Sequence, residues 1–125
     1  MSGVAAVALG GALGAVARYL VSVTFSSAPG LSADFPWATL TINLTGSLGI
    51  GLAWGSWSHL PWFQDWGRVF LVVGVLGGFT TFSAFSMESL MLINAGRWSA
   101  AIGYAMASVV GCLLAAWLGQ RVLGV

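Results

Sequence analysis

The sequence predicts an all-α membrane protein of four transmembrane helices, the third of them interrupted. Three observations carry that prediction. Only 6% of the 125 residues are charged while 58% are hydrophobic, and the mean hydropathy is +0.94. The charges (Arg18, Asp34, Asp65, Arg68, Glu88, Arg97, Arg121) leave long runs without any, and residues 35–64 hold only His59. The tryptophans, Trp37, Trp54, Trp57, Trp62, Trp66, Trp98 and Trp117, all fall near the ends of those runs or in the second loop. That is where the two membrane interfaces collect aromatic belts.

The same composition excludes several classes. Soluble domains carry about a quarter charged residues, so this chain cannot coat a water-facing surface. With no lysine and no basic patch it has no electrostatic footprint for nucleic acid. One cysteine, Cys112, rules out a disulfide framework within the chain. No His or Cys pair has metal-ligand spacing, no glycine loop follows a strand, and no nucleophile has a base nearby. Nothing here supports an enzyme.

A helix needs about 20 apolar residues to cross the hydrocarbon. The spans are read at about 3–25, 36–57, 68–94 and 98–122, as one membrane domain over 1–125. The first ends at Ser26-Ser27-Ala28-Pro29-Gly30. It lacks the positive n-region of a cleaved signal peptide, and Arg18 falls where the apolar stretch of one would continue. Arg18 suits snorkelling or capping of helix ends. The second span opens at Phe35-Pro36, with proline in the first turn, and closes before His59-Leu60-Pro61. It carries Thr39, Asn43 and Ser47 on one face.

The third span holds Gly74, Gly77 and Gly78 followed by Thr80, Thr81 and Ser83, a composition that predicts a break in the helix. Backbone freed at membrane depth must find protein, water or an ion as a partner; exposed carbonyls there suit a hard cation such as Na⁺. Phe82 and Phe85 share a helix face just beyond, and the positive ring edge of phenylalanine can touch an anion. Glu88 is the one acid inside a span, which marks it as a functional residue: a proton relay, a partner for Arg18 or a hydrogen-bond acceptor. After Asn94-Ala95-Gly96-Arg97 the fourth span presents Tyr104, Ser108 and Cys112 on one face.

Gly10/Gly14, Gly51/Gly55, Gly74/Gly78 and the ridge Gly103, Ala107, Gly111, Ala115, Gly119 are spaced for close helix contact in lipid, within the chain or between subunits. Arginines fall two on each side of the membrane: Arg68 and Arg121 against Arg18 and Arg97. Without a positive-inside bias the chain can insert both ways up and form an antiparallel dimer.

The stretch Gly77-Gly78-Phe79-Thr80-Thr81-Phe82-Ser83-Ala84-Phe85-Ser86 with Glu88 resembles the third-helix signature of the Fluc (CrcB) fluoride-channel family. Gly10-Gly11 through Gly14 to Arg18 resembles its first-helix pattern, and Asn43-Leu44-Thr45-Gly46-Ser47 its second-helix motif. The resemblance implies a passive fluoride channel that exports the cytoplasmic anion and lowers its toxicity. It would work as an antiparallel, dual-topology homodimer with two pores in the bacterial inner membrane. It implies a structural Na⁺ on the twofold axis, held by the carbonyls of Gly77 and Thr80. It places Asn43, Phe82 and Phe85 on the fluoride path, and Ser83, Thr81, Glu88 and Tyr104 on a polar track. Leu48, Ala84 and Val75-Leu76 depart from the family's usual residues. The other readings are a small multidrug-type, proton-coupled exporter, which expects its acid in the first span, and a non-transporting scaffold.

Overall fold

The computed structural model describes residues 2–31 and 33–123. Six helical segments follow one another: α1 (Gly3–Ser26), α2 (Trp37–Trp57), α3 (Phe63–Leu76), α4 (Gly77–Phe79), α5 (Phe82–Asn94) and α6 (Trp98–Val122). No strand occurs among the described residues. α3, α4 and α5 together form the third span, Phe63–Asn94, which is 32 residues long and starts before the expected residue 68. The extra length comes from the aromatic run Trp62, Phe63 and Trp66, which the charges of Asp65 and Arg68 disguise as loop.

Three stretches are long and apolar enough to cross a membrane: Gly3–Ser26, Phe63–Asn94 and Trp98–Val122. The chain is therefore a multi-pass membrane protein. α2 is the exception to the expected four, although its 21 residues span roughly 31 Å at 1.5 Å per residue, as long as the hydrocarbon is thick. Its Thr39, Thr41, Asn43, Thr45 and Ser47 make it less apolar than the others. Pro36 sits at its N-cap, and the helix proper begins at Trp37.

Glycines set how the helices meet. A Cβ on Gly14 would lie 2.0 Å from the Val75 carbonyl oxygen, one on Gly10 2.5 Å from that of Phe70, and one on Gly78 2.6 Å from that of Gly11. So Gly10/Gly14 and Gly74/Gly78 are the two sides of one α1–α3/α4 crossing. In the same way Gly51 and Gly55 lie against the carbonyls of Ala116 and Gln120, and Gly119 against that of Leu48, seating α6 along α2. These small-residue pairs pack within the chain. Gly103 meets no atom within 4 Å.

That geometry yields a paired prediction. Gly14→Ala forces backbone apart, and overpacking of this kind costs about 1–3 kcal/mol. Gly103→Ala meets nothing and gains up to about 1 kcal/mol in helix propensity. Thermal unfolding of the two variants in detergent should therefore move Tm down for Gly14→Ala and leave it level or higher for Gly103→Ala.

The α5–α6 turn is fixed by Gly96, whose φ of +74° places it in the left-handed region. Its N–H donates to Ile93 O and that of Arg97 to Leu92 O, the two bonds of a Schellman cap. Arg97 also reaches across to donate to the Asp34 carbonyl, tying this turn to the α1–α2 connection. Leu40, Leu92, Ala101 and Tyr104 form the buried cluster inside, flanked by Phe35, Leu44 and Phe85. Most other large side chains face outward, which is how an isolated lipid-embedded protomer satisfies its surface.

Candidate functional site

α3 winds with the wide turns of a π-helix, a form otherwise found mostly as single-turn bulges. It passes into the short α4, and the helix then stops. Thr80 (φ −77°, ψ 157°) and Thr81 (φ −150°, ψ 118°) are both extended. Two consecutive β-branched residues after Gly77-Gly78 explain the position, since their stiff side chains favour extended backbone. The chain resumes as α5 at Phe82, with Thr81 as N-cap: its Oγ1 accepts from the Ala84 N–H at 3.2 Å.

Three of the groups freed by the break are met by neighbouring helices. The Thr81 N–H donates to Asn43 Oδ1 at 2.8 Å, and Asn43 Nδ2 donates to the Thr81 carbonyl at 3.0 Å. Asn43 on α2 thus pairs with the backbone of residue 81 as an adjacent strand would. From the other side Arg18 Nε on α1 donates to the Gly78 carbonyl at 3.1 Å. The Thr80 N–H and Oγ1 both donate to the Leu76 carbonyl at 2.9 Å. Gly46 lets α2 approach, because a Cβ there would lie 2.2 Å from Thr80 Cγ2.

Beside the break lies an open cavity of about 460 Å³ between α2, the third span and α6. Asn43, Thr81, Phe82, Phe85, Ser108 and Cys112 are on its wall, and no lining residue carries a formal charge. Phe82 is 76% exposed. Its ring centroid is 5.3 Å from that of Phe85, which is 5.1 Å from that of Tyr104. Tyr104 in turn meets Phe35 edge-on at 5.5 Å. A line of rings therefore runs from the break toward the α1–α2 connection. Among the described residues the buried Ser108 hydroxyl has no hydrogen-bond partner.

Of the residues singled out in the sequence, the structure gathers Asn43, Gly77, Thr80, Thr81, Phe82 and Phe85 around this cavity. Ser83, Glu88 and Tyr104 are not on its wall. Ser83 Oγ lies 3.3 Å from Thr81 Oγ1. Glu88 belongs to a separate cluster, where Oε1 accepts from Thr39 Oγ1 at 2.7 Å and Oε2 from the Tyr104 hydroxyl at 2.8 Å. Tyr104 is fully buried there. Glu88 is a hydrogen-bond acceptor in this geometry, and Arg18 is engaged at Gly78 rather than paired with it. Sequence reasoning did not find the Asn43–Thr81 pairing, and no signal short of three-dimensional contact announces it.

Comparison with known proteins agrees with these motifs. Residues 5–120 match the model of the family described as CrcB-like protein, Camphor Resistance (CrcB). The chain is 50% identical over 121 residues to a protein of Nitrobacter hamburgensis named fluoride-specific ion channel FluC 1, covering 94% of each. It is 45% identical over 116 residues to a fluoride-specific ion channel FluC of Magnetococcus marinus, covering 93% of each. It is also 44% identical over 119 residues to one of Chloroflexus aurantiacus, covering 95% of this chain and 93% of the relative. All three relatives are named as ion channels, which are not enzymes, and such channels in bacteria reside in the inner membrane. With its family model matched from residue 5 to residue 120 and its membrane-spanning helices in place, the chain belongs to the CrcB-like family.

Proposed function

We propose that this chain is a fluoride-selective, passive ion channel that exports cytoplasmic fluoride, working as an antiparallel, dual-topology homodimer. The observation that carries the reading is the uncharged cavity at the helix break, where Asn43 and two phenylalanine rings face open space. Even for a carboxylate-sized ion the idealised cost of entering dry protein is of order 20 kcal/mol. Fluoride is smaller and more strongly hydrated, so its water shell must be replaced group by group. Asn43 spends one Nδ2 hydrogen on Thr81 and keeps the other for an anion. The Ser108 hydroxyl has no competing partner among the described residues, and the edges of Phe82 and Phe85 supply weak positive contacts. No fixed cation lines the wall to hold the anion too tightly. A potential of about 100 mV contributes about 2.3 kcal/mol per charge, enough to drive an anion out of a negative interior. Thr81 is on the wall of this path with Ser83 beside it, and Tyr104, bonded to Glu88, packs against Phe85 from behind.

The dimer reading rests on the two-against-two arginines and on the outward cavity, whose exposed Phe82 suits cover by a second copy. A Na⁺ at the dimer centre fits the donors of the break. Leu76, Gly78 and Thr81 carbonyls have hydrogen-bond donors, whereas among the described residues none is assigned to those of Gly77 and Thr80. Two neutral carbonyls per protomer, doubled by the twofold, make an oxygen set of the kind a hard monovalent ion takes. Bound there, the ion would fix the break by charge rather than take part in conduction.

The test is fluoride release from liposomes loaded with potassium fluoride, with valinomycin to carry K⁺, beside a chloride set. Fluoride release without chloride release is expected. Silence in both sets from a folded dimer with Na⁺ present would overturn the reading. The proton-coupled alternative is tested at Glu88. Since both of its oxygens only accept bonds, from Thr39 and Tyr104, Glu88→Gln disturbs one of the two and should leave fluoride flux within about tenfold of the parent, the effect of 1.4 kcal/mol. An exporter driven by that carboxyl would stop.

A further inference from the structure

Three of the four arginines are engaged: Arg18 at the Gly78 carbonyl, Arg97 at the Asp34 carbonyl, and Arg121 over the Trp117 ring at 5.6 Å. Arg68 is different. Among the described residues it makes no ion pair or hydrogen bond, even with Asp65 one turn earlier in α3. Its surroundings are a second cavity of about 280 Å³ between the end of α2 and the start of α3. Trp54 and Phe63 form apolar walls, their rings edge to face at 6.0 Å. Ser58 and Gln64 give the polar rim, with the Gln64 amide held in place by donating to the Ser58 carbonyl at 2.8 Å.

The depth of this cavity in the membrane follows from its neighbours. Trp57, Trp62 and Trp66 form a continuous aromatic cluster, with ring centroids 5.6 and 5.8 Å apart. Such clusters mark the level of lipid headgroups. Arg68 and Arg121 against Asp65 leave this end of the protein at net +1 by count of charged side chains. A molecule matching the cavity needs an anionic oxygen group for Arg68, acceptors for Ser58, and an apolar portion turned toward Trp54 and Phe63. At headgroup depth, phospholipid supplies that combination at far higher local concentration than any free solute, and basic pockets between helices at this level take anionic headgroups.

We propose that this cavity binds the headgroup phosphate of an anionic phospholipid, with Arg68 as the charge partner, Ser58 as hydrogen-bond donor, and Trp54 and Phe63 against the upper acyl chains. The site does not depend on what the protein conducts. Native mass spectrometry of the full-length protein, titrated with phosphatidylglycerol and in parallel with phosphatidylcholine, tests it. Phosphatidylglycerol is expected to bind more tightly. Arg68→Gln should weaken it about fivefold, the effect of one arginine near the surface, while Arg121→Gln at the same end leaves it unchanged. Inorganic phosphate at 100-fold excess over lipid, in the spirit of a simple competition, should not displace the lipid; displacement would identify a free-phosphate site and overturn the lipid assignment. Equal weakening by Arg68→Gln and Arg121→Gln would reduce the effect to diffuse surface charge and overturn the site. Ser58→Ala, which removes no charge, should weaken phosphatidylglycerol measurably; no change in either Ser58→Ala or Arg68→Gln also overturns it. Fluoride release in neutral liposomes should be the same for Arg68→Gln and the parent, which separates this site from the conduction path.

Discussion

Phe82→Ile and Phe85→Ile are each expected to lower fluoride release from liposomes by about tenfold or more, the equivalent of roughly 1.4 kcal/mol of lost anion stabilisation per ring. Isoleucine keeps the apolar bulk but has no ring edge, so the substitution removes the electrostatic contact and little else. The two positions should differ in their side effects. Phe82 is 76% exposed on the protomer and its loss opens no cavity there. Phe85 packs on Tyr104 at 5.1 Å and belongs to the flank of the buried cluster, so Phe85→Ile should also lower thermal stability, by about 0.5–1.5 kcal/mol from the lost aromatic pair. Size-exclusion profiles of the purified variants establish that folding and assembly survive. Normal conduction in a dimer carrying both substitutions would remove the rings from the path.

Asn43→Ala is expected to do more damage, of a different kind. It strands the N–H and the carbonyl of Thr81 at membrane depth, each an unsatisfied backbone group costing about 1–3 kcal/mol. The break then has to rewind or recruit water, and either change displaces the first turn of α5 with Phe82 on it. Asn43→Asp is the instructive companion. A carboxylate can still accept from the Thr81 N–H but cannot donate to the Thr81 carbonyl, and it places a negative charge on the cavity wall. Fluoride release should therefore vanish in Asn43→Asp while unfolding temperature falls less than in Asn43→Ala. The converse ranking, with conduction retained in Asn43→Asp, would separate this amide from the anion path.

Much of this architecture is legible in the chain because lipid is an undiscriminating solvent. Charge-free runs and interfacial tryptophans locate α1, α2 and α6 to within a residue or two, since any charge in hydrocarbon must be justified. The break was also visible, because Gly77-Gly78 before Thr80-Thr81 removes helix propensity and adds stiffness at adjacent positions. What stayed hidden depends on pairing across space. The wide winding of α3 leaves no trace in hydropathy, and its start at Phe63 was masked by Asp65 and Arg68 lying in the interface. The GxxxG pairs read alike whether they meet within a chain or between chains; only the approach of Gly14 to Val75 and of Gly51 to Ala116 decides it. Glu88 could be singled out as functional from sequence, but its partners Thr39 and Tyr104 lie 49 and 16 positions away.

The polar stripe of α2 has a consequence for how the protein is made. Translation delivers α2 well before α6, the helix whose backbone Gly51 and Gly55 fit against. Until the third span emerges the growing chain holds a helix with Thr39 and Asn43 on one face and no partner for them, and until α6 emerges its glycine groove stays open. Asn43 waits for Thr81, Thr39 for Glu88, and the glycine groove for Ala116 and Gln120. Nascent chains arrested before residue 98 should consequently leave α2 loosely committed to the bilayer and open to alkali extraction or surveillance proteolysis, while chains carried through Val122 lock it in. α6 is thus the helix that completes the insertion of α2.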